Sequence, residues 1–285
     1  MIELPNVAIL AGGFGSRLAA VSNGLPKPLV PIAGIPMLQH QLELCRKQGF
    51  VNIALLVSHG HELIKHTFGD GASFGVQLTY ILDERPLGTG GALRNAANRL
   101  SEHFLVLYAD TYLDVDLVTL YKRHLDQNSD ACLFVHPNDH PHDSDLVELS
   151  EIGHVTNIHG YPHEKELCLP NLVNAALCVM RRSAIIDLVE AGEKCDLAKN
   201  VFHRLIENDY IITAYKSPEY VKDAGTPDRL AKIEQHISLQ VPSMLSRTSQ
   251  RKAIFLDRDG TLNDDPGYIS SPDELNIYPG VGPAV

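Results

Sequence analysis

The 285-residue sequence has no tryptophan, little positive charge and no long apolar run. Its 24 Lys and Arg against 35 Asp and Glu give a formal net charge of -11. Nucleic acids and anionic membranes require a broad basic surface, so the charge argues against both as general partners. No apolar run approaches the roughly 18 residues of a membrane span, and MIELPNVAIL lacks the basic start of a signal peptide. We therefore expect a cytoplasmic protein that holds any anionic ligand in a local site.

Cysteine is scarce, and the cysteines are scattered without a CxxC pair. They are Cys45, Cys132, Cys168, Cys178 and Cys195. This odd, dispersed set predicts reduced and mostly buried thiols. Histidines gather in HPNDHPHDSD at 136–145, which has the residue types of a transition-metal site. Its spacing matches no zinc pattern, however, and its Pro, Asn and Asp content favours a solvated polar loop.

Apolar runs that alternate with amphipathic stretches indicate the fold class. VAIL at 7–10, NIALLV at 52–57 and FLVLY at 104–108 are typical of strands buried on both faces. Helical spacing between them predicts an α/β fold with a Rossmann-like, doubly wound, mainly parallel sheet. At 130–180 shorter strands predict a small β insertion over one end of that sheet. The Ser, Pro and Thr content of 238–250 predicts a linker between a domain at 1–237 and a segment at 251–285.

Three glycines follow the first strand directly, in VAILAGGFGSRL. Gly12, Gly13 and Gly15 would let backbone N–H groups approach a phosphate closely. The pattern is not a P-loop, and it is not a complete GxGxxG because Leu18 replaces the third glycine. Taken alone, it is equally typical of a structural turn.

Two basic residues accompany these glycines. Arg17 offers a planar fork to phosphate oxygens, and Lys27 offers a compact charge. Prolines at 26, 28 and 31 restrict the backbone around Lys27, so its charge is presented from a stiff loop.

AGGFGSRL followed by PKPLVPIAGIPM resembles the signature of the sugar-1-phosphate nucleotidyltransferases. These enzymes join a sugar phosphate to a nucleoside triphosphate and release pyrophosphate. PLGTGGALRNA resembles the family's second glycine-rich loop, whose backbone lies against the base and sugar, although an ordinary helix start is the alternative. The nucleotide-binding residues that the resemblance implies are Leu10, Ala11, Gly12, Gly13, Gly15, Ser16, Arg17, Gly88 and Thr89.

Two aspartates match the family's magnesium ligands. Asp110 follows a buried strand in FLVLYADTYLDVDL, where open α/β sheets place ligands. Asp223 lies in YVKDAGTPDRL, which resembles the family's DIGTP segment; a turn or helix cap is the structural alternative for either aspartate. The family often has glycine where Ala109 stands. The resemblance implies Mg²⁺ as cofactor and Arg17, Lys27, Asp110 and Asp223 as catalytic residues.

The stretch HEKELCLPNLVNAALCVM resembles the part of the family's site that binds the sugar phosphate, which is the acceptor. The family uses residues matching Glu164, Lys165 and Asn174 on the sugar and its phosphate. Glu166 stands where proline is usual, and Ala176 where glycine is usual. A surface ion pair is the alternative for Glu164 and Lys165.

This set of residues suffices without a general base. A phosphate monoester has its second pKa at about 6, so the acceptor phosphate is largely dianionic at neutral pH. The resemblance implies that Arg17 holds the β and γ phosphates, Lys27 an oxygen near the reacting phosphorus, and Lys165 the sugar phosphate. The remaining difficulty is electrostatic, because two polyanions must meet.

Several substrate pairs share these motifs. They occur in mannose 1-phosphate guanylyltransferases, N-acetylmuramate 1-phosphate uridylyltransferases and glucose 1-phosphate thymidylyltransferases. The short length and VLYADTYLDVDL resemble most the D-glycero-α-D-manno-heptose 1-phosphate guanylyltransferases, which implies GTP and that heptose phosphate. A non-catalytic nucleotide-binding module is the alternative, and the presence of Arg17, Lys27, Asp110 and Asp223 argues against it. The sequence indicates no oligomeric state.

A second resemblance lies near the end of the chain. KAIFLDRDGTLNDDPGYISSPDEL resembles the start of heptose bisphosphate and histidinol-phosphate phosphatases of the haloacid dehalogenase superfamily. It implies Asp257 as nucleophile and Asp259 as general acid and base, with a chance strand and turn as the alternative. A heptose phosphatase would make the transferase's acceptor. The residues from Arg251 to Val285 are too few to bury a core. We therefore expect an incomplete phosphatase segment, from a longer fusion or a truncated gene, without phosphatase activity.

Overall fold

The structure, a computed structural model, describes residues 4–13, 18, 22, 24–162, 169–250 and 254–284. The chain divides into two compact units, Met1–Ser249 and Gln250–Val285. The assignment of 1–237 to a transferase domain and of 251–285 to a phosphatase segment remains a prediction.

The first unit alternates strands and helices along most of its length. Its strands are β1 (Val7–Leu10), β2 (Pro31–Ile32), β3 (Ile35–Pro36), β4 (Asn52–Val57), β5 (Gln77–Leu82), β6 (His103–Tyr108), β7 (Thr111–Asp114), β8 (Ala131–His136), β9 (Leu146–Leu149), β10 (Val155–His159), β11 (Val173–Arg181), β12 (Ile212–Lys216) and β13 (Tyr220–Asp223). Its helices are α1 (Met37–Lys47), α2 (His61–Phe68), α3 (Gly88–Ala96), α4 (Leu117–Asp126), α5 (Arg182–Leu188), α6 (Phe202–Glu207), α7 (Pro227–Ser238) and α8 (Val241–Leu245).

One large sheet forms the centre of this unit. Its strands lie in the order β5–β4–β1–β6–β11–β8–β12, and the β9–β10 hairpin attaches beside β11. The four strands from β5 to β6 are parallel, and β12 is parallel to β8. β11 is antiparallel to both of its long neighbours, β6 and β8. This arrangement confirms the predicted α/β fold with a mainly parallel sheet.

Helices cover both faces of the sheet because its central strands are apolar on both sides. Val7 and Ile9 of β1 pack in the cluster that includes α1, α2 and α4. Ala8, which points the other way, packs in the cluster that includes α3, α5 and α6. Fully burying a side chain such as Ile9 contributes about 1.5–3 kcal/mol. The two clusters make the sheet doubly wound.

The region at 130–180 differs from the expected insertion. β8 and β11 are members of the main sheet, buried along most of their length. Only the β9–β10 hairpin is added at the side of β11. The polar loops around this hairpin interrupt the apolar pattern, which is why the sequence suggests a separate layer there.

The strand order places a crevice at the carboxyl ends of β1 and β6. The chain turns from β1 toward β4 on one side, while β6 lies on the other side of β1. Ligands of open α/β sheets bind where the strand order reverses in this way. The separate ribbon of β7 and β13 begins directly after β6 and returns to the same edge.

The segment 238–250, predicted as a linker, contains helix α8, and its residues up to Ser249 belong to the first unit. The backbone N–H of Arg247 donates to Glu219 Oε1 at 3.1 Å, and its Nη1 donates to the Tyr215 hydroxyl at 2.8 Å. No helix in the part of the chain that the structure describes is long and apolar enough to cross a membrane.

The second unit has little regular structure within 254–284. It contains a 3₁₀ turn at Pro272–Glu274 and a short helix, α9 (Val281–Ala284). Ile254 and Phe255, in the IFLDRDG stretch, are 82% and 96% exposed. Apolar side chains at this exposure contribute no core, so this unit is not stabilised by burial of its predicted phosphatase strand.

Candidate functional site

A cavity of about 440 Å³ opens at the carboxyl ends of β1 and β6. The predicted nucleotide-binding residues that line it are Leu10, Ala11, Gly12, Gly13, Gly88 and Thr89. Gly15, Ser16 and Arg17 lie outside the described residues. The fold therefore brings the two glycine-rich segments to one cavity, although they are about 75 positions apart in the sequence.

The first glycine segment is fixed by Ser58, which follows β4. Ser58 Oγ donates to the carbonyl oxygen of Gly12 at 2.6 Å. A Cβ at Gly12 would lie 3.0 Å from that Oγ, so close packing accounts for this glycine. At Gly13 a Cβ would meet nothing within 4 Å. Packing against the described residues therefore does not account for glycine at 13, and the close approach of a phosphate there remains a prediction.

The glycines of the second segment have a structural reason that the sequence does not reveal. Gly88 has a φ of +73°, and a Cβ there would lie 2.4 Å from the Cys195 carbonyl oxygen. A Cβ at Gly91 would lie 2.3 Å from the carbonyl oxygen of Glu193. The start of α3 is thus packed against the backbone of 193–195. This contact fixes the wall of the cavity in which Gly88 and Thr89 lie.

Lys27 and Asp110 form an ion pair in this cavity, with Lys27 Nζ donating to Asp110 Oδ2. Lys27 begins a 3₁₀ turn after Pro26, and Asp110 follows β6. Their side chains are 11% and 32% exposed. The pair is partly shielded from water, which strengthens it relative to a surface ion pair.

The β7–β13 ribbon brings Asp223 next to Asp110. Asp223 is paired with Thr111 in the ribbon, and the backbone N–H of Ala224 donates to the Asp110 carbonyl oxygen at 2.8 Å. Mg²⁺ is usually held by one or two protein carboxylates together with substrate phosphates. The carboxylates of Asp110 and Asp223 line the same cavity, described below, and therefore fit the magnesium site that the resemblance implies.

Asp223, like Asp110, is paired with a cation. Nη1 of Arg229 donates to both carboxylate oxygens of Asp223, at 2.8 and 2.9 Å. The backbone N–H of Gly225 also donates to Asp223 Oδ1, at 3.1 Å. Both predicted magnesium ligands are thus held in fixed positions with their charge balanced. The sequence resemblance identifies Lys27 but gives no role to Arg229.

Gln41 of α1 supports the turn that carries Asp110. Its Nε2 donates to the carbonyl oxygens of Tyr108 and Thr111, at 2.8 and 2.7 Å, on either side of Asp110. Gln41 is 1% exposed. A buried glutamine on a helix otherwise apolar on that face is the only signal in the sequence, and it does not show which carbonyls the side chain reaches.

Asp83 at the end of β5 also lines the nucleotide cavity. It is half-buried, and Asn95 Nδ2 donates to its Oδ1 at 2.7 Å. Burial raises the pKa of this carboxyl above its ordinary value, while the bond from Asn95 opposes that rise. Asp83 thus presents hydrogen-bond acceptors inside a largely apolar wall.

A second cavity, of about 770 Å³, meets the first at Tyr108 and Asp110, which line both. Asn174, predicted to contact the sugar, lines this cavity. Glu164 and Lys165 lie outside the described residues. One predicted magnesium ligand therefore stands where two ligand-sized spaces join.

A bulge in β11 positions Asn174. The register of β11 against β8 shifts between Asn174 and Cys178, and Ala176 inside the shift has a φ of +54°. Residues with a side chain rarely adopt this left-handed conformation, whereas glycine does so readily. The glycine usual in the family at this position thus has a conformational reason, and this chain tolerates alanine there.

The histidine-rich stretch at 136–145 forms a loop between β8 and β9, and several of its residues line the second cavity. Within the described ranges, no group of three or more His, Cys, Asp and Glu is placed to hold a metal ion. Asp139 and Asp143 of this loop instead pair with basic residues on the opposite wall. A solvated polar loop is therefore an incomplete description of this stretch.

Described by itself, the second unit leaves Asp257 exposed and Asp259 partly exposed. Asp259 accepts from Nε and Nη2 of Arg258, at 2.8 and 2.9 Å, and from Asn263 Nδ2 at 3.1 Å. The side chain of Asp257 accepts from the backbone N–H of Arg258 at 2.9 Å. These local bonds leave the role of both aspartates a prediction.

The buried thiols agree with the cysteine pattern. Cys45, Cys132, Cys178 and Cys195 are buried and free. Burial raises the pKa of Cys45 to about 12 and that of Cys132 to about 11, so both stay protonated at neutral pH. Cys168 lies outside the described residues.

Comparison with known proteins gives relatives over nearly the whole first unit. Mannose-1-phosphate guanylyltransferase of Mycobacterium tuberculosis is 30% identical over 225 residues, which cover 78% of this chain and 62% of that protein. The chain thus spans less than two thirds of that relative. D-glycero-alpha-D-manno-heptose 1-phosphate guanylyltransferase of Aneurinibacillus thermoaerophilus is 27% identical over 237 residues, 80% of this chain and 96% of that protein.

A solved structure agrees with these relatives. The crystal structure of HddC from Yersinia pseudotuberculosis complexed with GMP-PN has a TM-score of 0.70 at 26% identity, covering 82% of this chain and 100% of that chain. The profile of the nucleotidyl transferase family matches residues 6–240. These residues include both glycine-rich segments, the two aspartates and all residues that line the two cavities except Leu245. The chain therefore belongs to the nucleotidyl transferase family.

Proposed function

We propose that the protein transfers GMP from GTP to D-glycero-α-D-manno-heptose 1-phosphate and releases pyrophosphate. The observation that carries the proposal is the position of Asp110. It lies at the junction of two cavities, paired with Lys27 and backbone-bonded to the residue after Asp223. A nucleotide in the first cavity and an acceptor phosphate in the second would meet beside these charges.

The chain's own groups meet the electrostatic demand of the reaction. The dianionic acceptor phosphate attacks the α-phosphorus, and the bond to pyrophosphate breaks, so no proton needs to be removed. Lys27 would leave Asp110 for an oxygen of the reacting phosphate, where charge develops. Asp110 and Asp223 would hold Mg²⁺, which when bound draws the phosphates together and neutralises their charge.

Other roles rest on the sequence resemblance. Arg17 on the β and γ phosphates and Lys165 on the acceptor phosphate are proposals for residues outside the described ranges. The cytoplasmic location and the lack of nucleic-acid partners also remain predictions from composition.

Asp83 supports guanine as the base. Guanine offers two adjacent donors on its Watson–Crick edge, N1–H and the N2 amino group, and a carboxylate accepts from both. Uracil and thymine offer one donor between two carbonyl oxygens, which a carboxylate repels. Asp83 is half-buried in the wall of the nucleotide cavity. A base that offers no donor to this carboxylate would also exclude the water that otherwise hydrates it.

The proposed identity of the sugar is based on the names of relatives. The Aneurinibacillus protein, of which the match covers 96%, is named for the heptose phosphate, and the Mycobacterium protein for mannose 1-phosphate. Mannose 1-phosphate with GTP is therefore the second candidate, and N-acetylmuramate 1-phosphate with UTP is the third. A non-catalytic nucleotide-binding module is the alternative outside enzymes.

Pyrophosphate release tests the proposal. The five nucleoside triphosphates GTP, UTP, dTTP, CTP and ATP are each combined with heptose, mannose, glucose and N-acetylmuramate 1-phosphates in the presence of Mg²⁺. Asp110→Asn is the catalytic control, and Asp126→Asn, on the exposed end of α4, controls for loss of a surface charge. We expect turnover with GTP and the heptose phosphate alone, lost in Asp110→Asn. Turnover with another pair would replace the substrates; binding without any turnover would favour the module.

Asp83→Asn tests the base assignment in the same assay. The amide presents one donor and one acceptor, so we expect the ratio of kcat/KM for GTP over UTP to fall by about tenfold or more. An unchanged ratio would remove Asp83 from base recognition and leave the transferase mechanism intact.

A phosphatase in a longer fusion is the second enzyme class, and FLDRDGTLN is the feature that favours it. For the chain as given we expect no release of inorganic phosphate from heptose 1,7-bisphosphate. Metal-dependent hydrolysis that Asp257→Asn abolishes would reverse this expectation.

A further inference from the structure

Three basic side chains line the second cavity beside the predicted magnesium ligands. Lys222 directly precedes Asp223 on β13, and Arg229 and Lys232 lie one turn apart on α7. The side chains of Lys222 and Arg229 are only 12% and 25% exposed. Cations held this far from water need an anion close by.

Two carboxylates of the loop between β8 and β9 are those anions. Lys222 Nζ donates to Asp139 Oδ1 at 2.9 Å, and Lys232 Nζ donates to Asp139 Oδ2. Arg229 Nη2 donates to Asp143 Oδ2 at 3.1 Å. The bonds from Lys232 and Lys222 hold the pKa of Asp139 well below its ordinary value. The loop thus presents anionic oxygens to three cations, as a phosphate group would.

Two hydrogen bonds that do not involve the cations fix the shape of this loop. Asn138 Nδ2 donates to Ser144 Oγ at 2.9 Å, and Asn171 Nδ2 donates to the Asn138 carbonyl oxygen at 2.8 Å. These bonds hold the loop's shape independently of the cations. Asp139 and Asp143 are 46% and 36% exposed, so water can solvate them after they leave.

The balance of charge changes when Asp223 serves the predicted magnesium site. Arg229 now divides its guanidinium between Asp223 and Asp143. With Asp223 engaged elsewhere, three cations face two loop carboxylates. The charge of Lys222 also acts on a neighbouring side chain. Burial, followed by this charge, lowers the pKa of His136 to about 4. A phosphate dianion carries the same charge as the two loop carboxylates and can therefore replace them.

We propose that Lys222, Arg229 and Lys232 form a cradle for the phosphate of the acceptor, and that Asp139 and Asp143 occupy this cradle until the acceptor arrives. The proposal rests on the proposed function, since it takes the second cavity as the acceptor side. The ligand class is a phosphate monoester, whose oxygens match a guanidinium fork and two ammonium groups. Acceptor binding displaces the loop carboxylates, so these cations are never left unpaired.

Calorimetric titration of the full chain with inorganic phosphate and with mannose 1-phosphate tests the cradle. In Asp139→Asn the competing carboxylate is removed, and we expect both ligands to bind more tightly by about threefold to tenfold. In Lys222→Gln a charged hydrogen bond to the phosphate is lost, and we expect binding weaker by about tenfold or more. Mannose without a phosphate should show no such response.

Glu148→Gln is the matched control. Glu148 is an exposed acid on β9 whose Oε2 lies 3.0 Å from His159 Nε2, and it does not line the cavity. The affinity of the Glu148→Gln variant for phosphate should equal that of the unaltered protein. Thermal unfolding of each variant checks that the fold is intact. If the ion pairs are purely structural, phosphate binding should weaken in both Asp139→Asn and Lys222→Gln, or change in neither. Either of these two results would overturn the proposal.

Titration with GMP-PNP separates this proposal from the proposed function. If the protein binds nucleotide and turns over, but its affinity for phosphate is the same in both variants as in the unaltered protein, the cradle is rejected and the transferase is kept. Opposite responses of the two variants, without GTP binding or pyrophosphate release, would support an anion cradle and reject the transferase.

Discussion

Lys27 and Asp110, separated by 83 positions in the sequence, are joined by an ion pair at the junction of the two cavities. The pair holds the predicted catalytic cation and the predicted metal-binding carboxylate in place. Under the proposed function, an arriving phosphate would compete with Asp110 for Lys27, and a metal would compete with Lys27 for Asp110. The two exchanges favour each other, because each one releases the group that the other needs.

Lys27→Met keeps the length of the side chain and removes its charge. We expect kcat for pyrophosphate release to fall by about 10²- to 10³-fold, the usual effect of removing one preorganised charge from a transition state. The stability of the fold should change little, since Asp110 is 32% exposed and water can solvate it. Lys27→Arg, which keeps the charge, should retain more activity than Lys27→Met. Equal activity of Lys27→Met and the unaltered protein would place Lys27 outside the reaction.

Gln41→Met tests the support of the Asp110 turn. The substitution leaves the carbonyl oxygens of Tyr108 and Thr111 without their donor, which should lower the free energy of unfolding by about 1–3 kcal/mol. A displaced Asp110 should also lower kcat, by up to about 10²-fold for a shift near 1 Å. Urea unfolding and steady-state kinetics measure the two effects.

Gln39→Met is the control on the same helix. Gln39 Nε2 donates to Glu43 Oε1 at 2.9 Å within the helix. Loss of such a pair costs about 0.2–0.5 kcal/mol and leaves the Asp110 turn untouched. If the two methionine variants behaved alike, the bonds from Gln41 would have no special role.

The sequence predicts the strands that build the site, since their signal is local. β1, β4 and β6 are apolar on both faces, and each lies where its run of Val, Ile and Leu predicts. The same locality explains why Asp110 is recognisable: it directly follows β6, at the edge where a parallel sheet places its ligands.

The partners of these residues could not be predicted, because they depend on strand order. Arg229 reaches Asp143 across 86 positions, and Gln41 reaches the Thr111 carbonyl across 70. Only the β7–β13 ribbon and the order of the main sheet bring such residues together. A basic residue on α7 therefore looks like an ordinary solvated charge until the fold is known.

The contact between half-buried His103 and buried His124 gives the fold a pH dependence away from the site. His103 Nδ1 lies 2.8 Å from His124 Nε2, and His124 is fully buried. Burial, then the charges of His103 and Arg181, lower the pKa of His124 from 6.5 to about 3. Between these pH values the unfolded chain binds a proton that the folded chain does not. Stability should therefore be full above pH 6.5 and should fall as the pH decreases toward 3.

Urea unfolding at pH 7.5 and pH 5 measures this dependence. A single group of this kind contributes a slope of up to about 1.4 kcal/mol per pH unit. His124→Gln should lower stability at pH 7.5, because bonds to His103 and Ser129 are lost, and should flatten the dependence on pH. His66→Gln, on the exposed face of α2, should keep the original slope. An equal slope in all three proteins would assign the dependence to other groups.

Ala176 predicts a stabilising substitution next to the predicted sugar contact. Its φ of +54° costs an alanine about 1–2 kcal/mol, and glycine loses about 0.5–1 kcal/mol through greater freedom in the unfolded chain. Ala176→Gly should therefore raise the free energy of unfolding by about 0.5–1 kcal/mol. At Ala175, buried and without a positive φ, glycine gains nothing and loses a packed methyl, so Ala175→Gly should destabilise by about 1–2 kcal/mol. Urea unfolding of the two variants must give opposite signs; the same sign would mean that the bulge beside Asn174 carries no left-handed strain.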